Sequence, residues 1–103
     1  MDAAPVPNRP LRVVIADDEA DVVFLLRMQL QRSGFEVVGT AADGAAAVAQ
    51  ARAGEADAVV MDLLMPGMNG FEAINVAREQ LPHVAVVAYT AVAGQFVREE
   101  MAR

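Results

Sequence analysis

The sequence predicts an α/β protein built on a doubly wound parallel sheet, and three observations carry that expectation. Short β-branched apolar runs alternate with longer segments of helical spacing, the pattern of βαβ units. One run, from Asp57 to Asp62, is apolar almost throughout, as a central parallel strand covered on both faces must be. The 103 residues, 55% of them hydrophobic, allow one domain with a real core and leave no room for a second folded unit.

The elements follow in order. Pro5, Pro7 and Pro10 make residues 1–10 an extended, flexible lead-in, so the domain is expected to span 11–103. Leu11 to Ala16 reads as the first strand. Asp18 or Glu19 then supplies an acidic helix start, and Val22, Leu25, Leu26 and Leu30 recur at a spacing that buries one helix face. Ser33-Gly34 stops that helix, with glycine at its C-terminal cap. Phe35 to Thr40 is the second strand, and Asp43-Gly44 opens an alanine-rich helix that runs to about Arg52 and closes near Gly54. Its small side chains permit close packing on the sheet. After the third strand comes a Pro66-Gly67 turn, and Phe71, Ile74 and Ala77 mark the inner face of a third helix ending at Leu81-Pro82. Val84 to Tyr89 is the fourth strand, and Val92, Phe96 and Val97 are read as the beginning of a fourth helix.

Composition narrows the function. A formal net charge of −6 disfavours direct binding of nucleic acid. The absence of cysteine removes disulfides and thiolate metal sites. Met1 to Pro10 lacks the features of a signal peptide, and the longest apolar run, Val84 to Tyr89, is too short to span a bilayer. A cytoplasmic protein without membrane contact is the expectation.

In a doubly wound sheet, ligands bind beyond the carboxyl ends of the strands. Asp17, Asp18, Asp62 and Thr90 all fall at or just past such an end. If the first and third strands are parallel neighbours, the three carboxylates meet, and their repulsion calls for a cation between them. That points to a magnesium-assisted reaction of a carboxylate. The same residues have plainer uses: Asp17-Asp18 can cap the first helix, Asp62 can serve the turn before Pro66-Gly67, and Thr90 can end its strand or cap the next helix. Asp43 and Asp57 read as cap and turn residues, and His83 as a solvated histidine at the opposite end of the sheet. Met65 and Met68 read as loop packing, because soft thioethers do not suit a hard metal site. Alternation points Tyr89 away from its neighbours' face and assigns it no role.

From Leu11 onward the chain resembles the receiver domain of two-component response regulators. The resemblance rests on Asp17-Asp18 after the first strand, on Asp62-Leu63-Leu64-Met65-Pro66 with Gly70 after the third, and on Thr90-Ala91 after the fourth. It implies a flavodoxin-like receiver fold with strand order 2-1-3-4. It also implies a phosphoacceptor that promotes its own phosphorylation and dephosphorylation, not an enzyme with turnover. Asp62 would accept a phosphoryl group from a histidine kinase or phosphotransfer protein. Mg2+ would be held by Asp18, by Asp17 mainly through water, by Asp62 and by the backbone carbonyl of Leu64. The Thr90 hydroxyl would bond the phosphoryl group and pull its loop inward as the switch.

Receiver domains continue past the fourth helix into a fifth strand, which leads to a lysine that pairs with the acceptor, and then a fifth helix. Here all eight basic residues are arginine. The fifth strand and helix are expected to be absent, with the domain truncated in its fourth helix. The expectation is then a fragment or ordered part of a longer protein, or a homodimer formed through the edge of strand four that the missing strand leaves open. Without the lysine, transfer should be slow. An alternative is a non-catalytic receiver-like module for protein interaction or dimerisation; the missing lysine favours it and the complete carboxylate set opposes it. A phosphatase of the haloacid dehalogenase type would need an aspartate where Leu64 stands. A flavin-binding domain would need Ser, Thr and Gly donors where Asp17-Asp18-Glu19 stand, and these acids would repel its phosphate.

Overall fold

β-branched and small apolar residues fit a pleated sheet that is covered on both sides, and the runs rich in them form its strands. The computed structural model describes residues 8–65, 70–92 and 95–100, with Gly70 and everything from Thr90 onward described by backbone alone. The strands are β1 (Arg12–Ala16), β2 (Glu36–Ala41), β3 (Ala58–Asp62), β4 (Ala85–Val92) and β5 (Gln95–Glu100), and the helices are α1 (Ala20–Arg32), α2 (Gly44–Ala53) and α3 (Gly70–Gln80). The sheet order is β2-β1-β3-β4-β5. The pairings β1 with β2, β1 with β3 and β3 with β4 are parallel, so the predicted 2-1-3-4 arrangement is present.

The two sheet faces are unequally covered. On one, Val14, Ala16, Val59 and Met61 pack with Ala47 and Ala51 of α2 and Ala73 of α3. Beside them Val86 and Ala88 meet Val48, Ile74 and Ala77. The C-terminal end of α2 sits close to β2: a Cβ on Gly54, its C-cap, would stand 2.8 Å from Val38 Cγ2. On the other face α1 packs against β1 and β2, and Val60 and Val87 stay half-buried. No residue of α1 is fully buried. Gly34, at φ +93°, makes the left-handed turn that ends α1, as expected of glycine there. The Asp43 side chain accepts the Ala46 N–H at 2.8 Å and caps α2.

Several expectations need correction. Residues 95–100 form no helix; they pair antiparallel with β4, with Ala91 opposite Phe96. The spacing of Val92, Phe96 and Val97 fits either structure, and the unpaired backbone groups along β4 decide for the strand. The edge of β4 expected to be open for a homodimer is therefore occupied by this same chain, although the family's parallel fifth strand is not what occupies it. β4 also runs on to Val92, which places Thr90 inside the strand. In α1, Leu25 is 58% exposed, because the half-buried face is formed by Val22, Val23, Leu26 and Leu30. In α3, Phe71 is 60% exposed, because the buried stripe is Ala73, Ile74 and Ala77, and Phe71 lies about a third of a turn away from it. Of the expected lead-in, residues 1–7 lie outside the described residues, and in the part that is described Arg9 makes an ion pair with Asp57 at 2.8 Å. The Pro66-Gly67 turn lies outside the described residues.

Candidate functional site

The parallel register of β1 and β3 sets Ala16 opposite Met61, so the residues that follow, Asp17 and Asp62, emerge side by side at the carboxyl edge. Asp18 is the next residue of β1's exit. One carboxylate oxygen from each of Asp17, Asp18 and Asp62 lies within 4.8 Å of the others. Asp17 and Asp62 are buried, at 4% and 8% exposure, while Asp18 faces solvent. The three acids predicted to meet are thus brought together. Among the described residues no arginine pairs with any of them; Arg9 and Arg12 make their ion pairs with Asp57, Glu36 and Glu55.

Local backbone donors hold the carboxylates in place. Asp17 Oδ1 accepts the Glu19 N–H at 2.8 Å, which turns the chain into α1, and the Asp17 N–H donates to the Ala41 carbonyl at 2.9 Å, tying the site to the end of β2. Asp62 Oδ1 accepts the Leu64 N–H at 3.0 Å. That bond is the structural tie to Leu64, whose side chain is 64% exposed. Burial pushes the Asp62 carboxyl above its ordinary acidity range; the Leu64 N–H opposes the shift, and the charges of Asp17 and Asp18 add to it. A small, hard, oxygen-preferring divalent cation would relieve both the burial and the repulsion, so the donor set fits magnesium.

Tyr89 is the residue that sequence reasoning missed. It is level with Asp62 in the β3–β4 register and only 7% exposed, and its hydroxyl donates a hydrogen bond to Asp17 Oδ2. Burial, reinforced by that bond, pushes its phenol well above the ordinary value, so it keeps its proton and remains a donor. The available signal was length and register: a tyrosine level with Asp62 on the next strand can reach across the end of β3 toward β1. Thr90 follows Tyr89 in β4 and lies opposite Val97 on β5. His83 is exposed, and Met65 is buried in the core as loop packing requires. Met68 lies outside the described residues. No described helix is long and apolar enough to cross a membrane.

A family model described as response regulator receiver domain matches residues 13–103. The chemotaxis protein CheY of Thermotoga maritima is 34% identical over 84 residues, covering 82% of this chain and 70% of that protein. The alkaline phosphatase synthesis transcriptional regulatory protein PhoP of Bacillus subtilis is 33% identical over 85 residues, covering 82% of this chain and 35% of its own length. The chain thus spans about a third of the length of such transcriptional regulators. Among solved structures, a CheX–CheY complex with BeF3 and Mg2+ from Borrelia burgdorferi matches with a TM-score of 0.76 at 30% identity, over 82% of this chain and 64% of that one.

Proposed function

Because the chain belongs to the response regulator receiver-domain family, we propose that it is a phosphoacceptor module in which Asp62 receives a phosphoryl group from a histidine kinase or phosphotransfer protein in the cytoplasm. The observation that carries this reading is the convergence of Asp17, Asp18 and Asp62 within 4.8 Å, with Asp62 buried and its acidity suppressed. Asp18 and Asp62 would hold Mg2+ directly, with Asp17 acting mainly through water and the Leu64 carbonyl completing the protein's share. The bound cation would neutralise charge between the acceptor and the phosphoryl oxygens.

The chain's own residues then have distinct tasks. With Oδ1 held by the Leu64 N–H, Asp62 attacks phosphorus through Oδ2; the new O–P bond forms as the P–N bond to the donor imidazole breaks, and the imidazole, already protonated at its other ring nitrogen, takes the bonding electron pair and leaves as the neutral ring. Thr90 would donate its hydroxyl to a phosphoryl oxygen of the product. A second reading, a receiver-like module that binds partners without phosphorylation, is favoured by the absence of lysine from these 103 residues.

Incubation of the full-length protein with acetyl phosphate, with magnesium or with a chelator, separates the two by intact-mass spectrometry. The acceptor reading expects a phosphoryl adduct that needs magnesium and is absent in Asp62→Asn. If no adduct forms in the full-length protein with magnesium present, the interaction module stands instead.

A further inference from the structure

Asp17 is held at both carboxylate oxygens: Oδ1 accepts the Glu19 N–H at 2.8 Å, and Oδ2 accepts the hydroxyl of Tyr89. A carboxylate fixed in this way cannot turn freely about its terminal bond, and its remaining lone pairs point in one set of directions. Neighbours that hydrogen-bond to a ligating group commonly fix its orientation and set the affinity of the site. Tyr89 does this without bringing a positive charge. A lysine or arginine at the same place would neutralise part of the cluster and compete with a cation, whereas a neutral phenol leaves the full charge of the three acids available. The hydroxyl comes from β4, so it also links the metal-facing acids to the strand that carries Thr90.

Resting on the metal-binding reading above, we propose that Tyr89 is a positioning residue for the divalent cation, acting through Asp17 to preassemble the carboxylate cluster. The substitution Tyr89→Phe removes the donor and keeps the ring that fills the space. Within these 103 residues Tyr89 is the single tyrosine and there is no tryptophan, so the 103-residue chain carries its own reporter.

Two measurements test the proposal, both with magnesium as the probe. Calorimetric titration should show Tyr89→Phe binding Mg2+ about tenfold more weakly than the natural protein, the lower end for loss of such a partner. In the natural protein, tyrosine emission should change with added Mg2+ and saturate at the midpoint found by calorimetry, and Asp17→Asn should abolish that response. Unchanged or tighter binding in Tyr89→Phe overturns the proposal. So does tyrosine emission that ignores Mg2+ while calorimetry shows binding, a result that needs no variant to fold. If the natural protein binds no Mg2+ by either method, the metal-binding reading itself falls, and this proposal with it.

Discussion

Asp57 and Asp62 flank β3 at its two ends, and their surroundings push their acidities in opposite directions. Asp57 accepts both arms of the Arg9 guanidinium, at 2.8 and 3.2 Å, and the Arg12 N–H at 2.7 Å. The bond from Arg9 lowers its pKa most, and the Arg12 N–H adds to this. Its contribution to stability is therefore present above the unfolded value of about 3.9 and is lost as pH falls through the lower folded value. Asp57→Asn should cost roughly 1–2 kcal/mol at neutral pH, and the loss should shrink in acid, as urea unfolding at several pH values would show. Asp62 behaves oppositely. Its raised folded pKa means the folded protein holds the proton more tightly than the unfolded chain, so stability falls as pH rises through the window above about 3.9. Asp62→Asn should therefore stabilise the chelator-treated protein at neutral pH, by on the order of 1 kcal/mol, with the gain vanishing below that window.

α1 and α3 show how far periodicity carries. Both were legible as amphipathic helices, yet Leu25 and Phe71 were assigned to inner faces and are exposed, since either reading fits a three- or four-residue spacing and only packing partners choose between them. The strands were clearer, because an apolar run bounded by turns leaves fewer options. β5 was not legible: its segment follows helical spacing, and the pairing that overrides it depends on β4's edge. The acidic site was legible because its residues sit at strand ends, where topology alone brings them together. Tyr89 was not, because alternation gives a side chain's face but not how far it reaches. The uneven covering of the sheet has a measurable result. Ile74→Ala, in the face shared by α2 and α3, should cost about 2–5 kcal/mol, while Leu25→Ala should change stability by under about 1 kcal/mol, consistent with its exposure. Chemical denaturation of the two variants checks the contrast.

The whole molecule carries a net charge of −6, with three of its acids gathered at one edge. A cation bound there favours the folded state over the unfolded one by mass action, by about 2.7 kcal/mol at a hundred times its dissociation constant. The melting temperature should thus climb with added magnesium well beyond a sodium control of equal ionic strength, and Asp62→Asn should blunt the climb. A melting curve that follows ionic strength alone would count against the metal site. The sheet's last pairing has a kinetic consequence. β4 and β5 are neighbours in sequence and pair antiparallel, whereas β1 and β3 meet only after the chain has passed out through α1, β2 and α2 and returned. Hairpins close in about 1–10 μs, and distant parallel pairings form far more slowly. The C-terminal pair can form as a local unit while Asp17 and Asp62 are still far apart, so assembly of the acidic cluster waits on the slower, sequence-distant pairing of β1 with β3.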